Sequence, residues 1–205
     1  MKLIEPSFEI LFIEDGDTIL KRLELAGRTA YKSEDKITSE SAPKFVHMLL
    51  HEKRHESVIE HGVITVRFIC DRGVTHEIVR HRISSFTQES TRYCNYGKGK
   101  FGSEITLSPM MDNLNTDQIN RRVALYNEIE KVYLAEIAEG ISPQQARDNL
   151  PTCLKTEIVM TANYREWRHF FKLRTAPNAH PQIRKLATSL VTEFKKRVPV
   201  LFDDF

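Results

Sequence analysis

Two stretches rich in β-branched and apolar residues, GVITVRFIC (62–70) and TCLKTEIVMTANY (152–164), do most to limit what this chain can fold into. Val, Ile and Thr have stiff side chains that suit a pleated surface, so each stretch predicts a strand, the first a central one. SFEILFIED (7–15) predicts another, ended by the turn at Gly16. Helical spacing fills the intervals. Ile19, Leu20, Leu23 and Ala26 follow a cap at Asp17, and Phe45, Val46, Leu49 and Leu50 form the face of a second helix that starts near Ser39, Ser41 and Pro43. VTHEIVRHR predicts a short helix that delivers Arg80. A long amphipathic helix covers Thr116 to Glu139 and closes at Gly140, and another opens at Ser142 with Pro143 in first position. Asn163 is placed to cap a helix carrying Arg165 and His169, and Ile183, Leu186, Leu190 and Phe194 share the inner face of the closing helix.

At 205 residues the chain fits one domain, spanning 1–205, long enough to bury roughly two thirds of the surface that its unfolded form exposes. A net charge of +2 is too small to argue for nucleic-acid binding. Three widely spaced cysteines, Cys70, Cys94 and Cys153, offer neither metal spacing nor a disulfide framework, which points to a reducing cytoplasm. Glu5 and Pro6 interrupt the apolar start, and no apolar run approaches the length of a membrane span, so a soluble protein with no membrane partner is expected.

The densest chemistry lies in RHRISSFTQESTRY, from Arg80 to Tyr93. Arg80, Arg82 and Arg92 supply permanently charged planar forks, His81 a titratable ring, and Ser84, Ser85, Thr87, Ser90 and Thr91 short donors and acceptors. Such a set suits a phosphate ester, because each charge-assisted hydrogen bond contributes about 1.5–3 kcal/mol and the forks fix orientation.

This run resembles the signature of the flavin-dependent thymidylate synthases: Arg80-His81-Arg82, then Ser90, then Arg92-Tyr93. HESVIEHG (55–62) and NYREWRHFFKLR (163–174) are similar to further segments of that family. The resemblance implies an α+β fold with a central twisted, mainly antiparallel sheet flanked by helices. It implies reductive methylation of dUMP to dTMP, with methylenetetrahydrofolate giving the carbon, FAD reduced by NADPH giving the hydride, and no cysteine nucleophile. It places Glu77, Arg80, Gln88, Glu89, Ser90, Thr91, Arg92, Arg147 and Arg174 on dUMP, with Arg174 polarising the pyrimidine ring as the catalytic group. Ser57, Arg80, His81, Arg82, Gln88, Asn163, Arg165 and His169 fall to FAD. It also implies a homotetramer with active sites at subunit interfaces, and no metal.

Two other patterns carry rival readings. HEKRH (51–55) matches a two-histidine zinc-hydrolase motif through His51, Glu52 and His55, but Lys53 and Arg54 stand between the histidines and no further cluster supplies an obvious third ligand. GKGKFG (97–102) has the glycine spacing of a dinucleotide-binding turn, yet a polar loop precedes it and β-like EITLSP follows, so a basic loop is expected. The arginine run alone could also serve a nucleic-acid-binding module, which a steep salt dependence would reveal.

Overall fold

The computed structural model describes residues 1–205, apart from the side chain of Lys100. Its elements in chain order are β1 (Lys2–Leu3), β2 (Ser7–Ile13), α1 (Gly16–Thr29), α2 (Ser41–His47), β3 (Val63–Asp71), α3 (Arg72–Ile78), β4 (Ser84–Gln88), β5 (Thr106–Leu107), α4 (Thr116–Ala138), α5 (Pro143–Ala146), β6 (Lys155–Asn163), α6 (Tyr164–Arg174), α7 (Pro181–Arg197) and α8 (Pro199–Phe202). Four strands in the order β2-β3-β6-β4 make an antiparallel sheet flanked by helices, the α+β class expected. β1 and β5 form a separate parallel pair. No helix among the described residues is long and apolar enough to cross a membrane.

The chain divides into two compact units. The first comprises Met1–Ser7, Phe68–Ile78 and Thr87–Ile158. Its core gathers Tyr96, Ile105, Leu107, Tyr126, Tyr133, Ile137, Ala146 and Leu154, so the inward face of α4 closes over β5. Asn115 caps α4 reciprocally with Gln118, each side chain bonding the other's backbone N–H, and Gly140 beyond its end takes φ +92°, a left-handed value that glycine adopts without strain.

The second unit comprises Phe8–Arg67, Val79–Phe86 and Val159–Phe205. Trp167, Phe170, Phe171, Phe194 and Phe202 are fully buried and meet mostly edge to face at 5.2–5.9 Å, which explains why α6 and α7 pack together. The Trp167 indole N–H donates to Ile64 O of β3 at 3.1 Å, satisfying its one polar atom. Gly62, just before β3, leaves room for the Tyr164 ring and Ile19, whose atoms would lie 2.5 and 2.4 Å from a Cβ.

Several local expectations change. Asp15, not Asp17, caps α1, accepting from Thr18 N at 3.1 Å; Asp17 lies in the first turn, where its charge still favours the helix N-terminus. The second helix ends as a π turn over Met48–Glu52. Ser142 makes no side-chain cap to the backbone, its hydroxyl donating instead to Gln145 Oε1, and α5 continues as a 3-10 turn over Arg147–Asn149. Cys153 precedes β6 and is not part of it.

Candidate active site

The expected residues fall into two groups, one in each unit. In the first unit, Thr91 and Arg147 line a cavity of about 350 Å³ with Arg72, His76, Asp148 and Leu154. Arg147 Nη1 donates to the Thr91 hydroxyl at 3.3 Å. The buried Nη1 of Arg72 has no hydrogen-bond partner among the described residues. That atom is closed to solvent, so the cavity's suitability for an acceptor such as a phosphate oxygen rests on the arginine side chains and the hydroxyl that line it.

The neighbouring members of this group are more tied down. Gln88 Nε2 donates to the Thr75 hydroxyl at 3.0 Å and to that of Thr156 at 3.3 Å. Glu89 accepts from the Tyr96 hydroxyl at 2.9 Å and from Lys155 at 3.0 Å. Burial and the Glu89 carboxylate together push the Tyr96 phenol well above its usual range. Burial acts to lower Lys155, but its hydrogen bonds to Glu157 and Glu89 prevail and hold it above the ordinary lysine value. Ser90 Oγ accepts from Arg92 N at 3.3 Å, and Arg92 Nε donates to Gln144 at 2.8 Å. Tyr93 is 77% exposed beneath the Arg92 guanidinium. Glu77 is half-buried on α3.

In the second unit, Asn163, Arg165 and His169 line a cavity of about 800 Å³ with Arg54, Glu56, Glu60, Glu166, Arg168, Lys172 and Asp204. Asn163 is the cap of α6, accepting from Glu166 N at 2.8 Å, as its sequence position predicts. Arg165 Nη1 donates to Glu60 at 2.6 Å, and Arg168 forms a double contact with Asp204 at 2.7 and 2.5 Å. Arg54 and Lys172 line the same cavity without an acidic partner among the described residues. Size and cationic donors suit a large, diphosphate-bearing cofactor such as FAD. Ser57, in the 3-10 turn Glu56–His61, and Arg80 and Arg82, between α3 and β4, are exposed.

His81 is different, being only 2% exposed. Its Nδ1 stands 3.0 Å from Glu166 Oε1, and its Nε2 accepts from Arg174 Nε at 3.0 Å. Burial, then the Arg174 guanidinium and His169, push the imidazole down to about pH 4, so it is neutral near pH 7. The contact with Glu166 is thus a hydrogen bond rather than an ion pair. Burial raises the Glu166 carboxyl, with His169 pulling the other way.

His81, Glu166 and His169 are, among the described residues, the one set near enough to share a metal ion. The Arg174 guanidinium on Nε2 and the proton required on Nδ1 leave His81 no lone pair for an ion, so these residues do not fit a metal. The HEKRH pattern fares no better. The helical turn ends at Glu52, Arg54 takes φ +57°, His51 Nε2 lies 3.3 Å from Val200 O, and His55 Nδ1 lies 3.3 Å from the Tyr31 hydroxyl. The two histidines therefore do not share a helix face, and the zinc reading is set aside. At 97–102 no strand leads into a helix, and Gly99 and Gly102 take positive φ in a short 3-10 turn.

Sequence reasoning gave no site role to Glu166, Arg72, Arg54 or Lys172. One signal was available: Glu166, Phe170 and Arg174 recur every four residues, which places them on one face of α6.

The family model of the thymidylate synthase complementing protein (Thy1) matches residues 13–200. A flavin-dependent thymidylate synthase of Corynebacterium efficiens is 32% identical over 197 residues, covering 89% of this chain and 78% of that one. Another, of Pyrococcus furiosus, is 35% identical over 144 residues, covering 70% and 59%. Among solved structures, a UMP/dUMP methylase, PolB, of Streptomyces cacaoi bound with 5-Br dUMP superposes with a TM-score of 0.79 at 23% identity, over 99% of this chain and 96% of that one, which shows the shared fold. By the extent of these matches, the chain belongs to the flavin-dependent thymidylate synthase family.

Proposed function

We propose that the chain methylates dUMP to dTMP reductively, taking carbon from methylenetetrahydrofolate and hydride from FAD that NADPH has reduced, without a cysteine nucleophile. The observation that carries this reading is the cavity lined by Arg72, Arg147 and Thr91, two guanidinium side chains and a hydroxyl suited to an anion in a member of this family. Ser90, Thr91, Arg92 and Arg147 hold the phosphate and sugar, with Arg80, Glu77, Gln88 and Glu89 completing the nucleotide's contacts. Ser57, Arg80, Arg82, Gln88, Asn163, Arg165 and His169 serve FAD, with His81 buried behind them instead of touching it, and Arg54 and Lys172 add charge for its diphosphate.

The carbon arrives one reduction step short of a methyl group, and reduced FAD supplies the missing hydride. Arg174 serves the ring. A guanidinium against the pyrimidine imide favours its ionised form, which stabilises developing negative charge without a covalent bond to the protein. Two of the three thiols support that division of labour. Burial, then Asp71, pushes Cys70 up to about 12, and burial also raises Cys153, so neither forms a thiolate readily.

The chain acts as one catalytic domain, 1–205, in a cytoplasmic homotetramer with active sites at subunit interfaces. Supporting the assembly, Phe12 is 51% exposed and Leu11 46% exposed on the edge strand β2, and Ile83 is 70% exposed. The experiment is an omission series on the purified protein. dTMP should form only when FAD, NADPH, dUMP and methylenetetrahydrofolate are all present. Formation of dTMP without FAD would overturn the reading.

A further inference from the structure

Glu166, Phe170 and Arg174 follow one another at intervals of four along α6, so their side chains share a face. Helical side chains lean towards the N-terminus, which turns the long Arg174 side chain back over Phe170. The His81 ring lies on this face. Its centroid is 4.9 Å from that of Phe170, and its two nitrogens reach Glu166 and Arg174 at 3.0 Å each. Glu166 stands at the position from which a carboxylate commonly folds back onto the helix cap. Here it turns to His81 instead, while Asn163 alone caps α6.

The chemistry fixes the protons. The Arg174 Nε carries a hydrogen and has no lone pair, so it can only donate, and His81 Nε2 must be bare to accept. A neutral imidazole then carries its proton on Nδ1, where the Glu166 carboxylate accepts it. This is the less common tautomer of free histidine, and a buried carboxylate is what selects it.

We propose that Glu166 and His81 are positioning residues that set the plane of the Arg174 guanidinium, Glu166 by fixing the His81 tautomer and His81 by anchoring Arg174 Nε. With Nε anchored, the direction of the two terminal nitrogens follows from the relay. The catalytic consequence rests on the functional reading above, whereas the tautomer does not.

The test has two arms. In the unsubstituted protein labelled with ¹⁵N-histidine, His81 should show a protonated Nδ1 and an unprotonated Nε2 near pH 7; a protonated Nε2 would overturn the relay. This arm needs no variant and no turnover. In the second arm, Glu166→Leu, which leaves His81 Nδ1 without an acceptor, should lower kcat about 10- to 100-fold, with FAD loading and the KM for dUMP changed less than about threefold. His81→Gln, whose carbonyl can still accept from Arg174, should retain more turnover than His81→Ala. An unchanged kcat in Glu166→Leu, or equal loss in both His81 variants, would overturn the positioning role. An unsubstituted protein that makes no dTMP would instead sink the functional reading and leave the tautomer to decide the relay.

Discussion

Arg147 reaches the Thr91 hydroxyl across 56 residues of chain, donating from Nη1 at 3.3 Å on the wall of a cavity that Arg72 also lines. A fork so placed is loosely held until an anion arrives. Arg147→Ala should therefore raise the KM for dUMP about 10- to 100-fold, as expected for losing charge-assisted hydrogen bonds of about 1.5–3 kcal/mol, while the melting temperature changes little. Steady-state kinetics against dUMP, with a thermal melt, check this. An unchanged KM would remove Arg147 from the substrate.

Arg174→Lys should keep FAD bound and lower kcat at least about 100-fold. Lysine offers a point charge where the ring needs a planar fork, and it has no Nε–H for His81 to hold. Visible absorbance of the purified variant and single-substrate kinetics separate the two effects. Full turnover would exclude the role given to this arginine.

The strands that carry the fold were legible because β3 and β6 are long and their apolar residues alternate into the core. The cap at Asn163 was legible for a local reason, since its partner is the backbone three residues on. β4 was not. SSFTQ is short, half exposed along its length and at the sheet edge, so its hydroxyls dominated the reading over its alternation. His81 was read as facing a ligand because the signature that the chain resembles includes it, and only the tertiary structure shows the ring buried beneath α6. Glu166 escaped notice because a carboxylate near a helix start has an ordinary explanation, and its real partner is 85 residues away. The division into two units was equally hidden, since each is assembled from three separate stretches.

Acid should reveal the buried imidazole. His81 has a folded value near 4, against about 6.5 when unfolded, so the unfolded state takes up the proton first. Its contribution is thus complete above about pH 6.5 and is lost as pH falls towards 4, by about 3 kcal/mol in all on an order-of-magnitude basis. Glu166, shifted upwards, works in the opposite sense, because protonation relieves its burial. Comparing urea unfolding of the parent and His81→Gln across this range isolates the histidine. Parallel pH profiles would show that His81 is not buried in its neutral form.

Gly62→Ala should destabilise the protein by about 1–3 kcal/mol, because the new methyl would press on the Tyr164 ring and Ile19 at 2.5 and 2.4 Å. Backbone strain is not the cause, since φ at Gly62 is −131°, which any residue adopts. Denaturant midpoints measure the effect. A midpoint equal to that of the parent would mean that this corner yields more easily than its packing indicates.

A single-turnover reaction puts the central claim to its hardest trial. Enzyme carrying pre-reduced FAD is mixed without oxygen with dUMP and methylenetetrahydrofolate, flavin absorbance is followed, and acid-quenched samples are assayed for dTMP and for nucleotide attached to protein. One dTMP per flavin reoxidised, with no nucleotide on Cys70, Cys94 or Cys153, is the predicted result. dTMP formed while the flavin stays reduced, or nucleotide trapped on one of those cysteines, would contradict it.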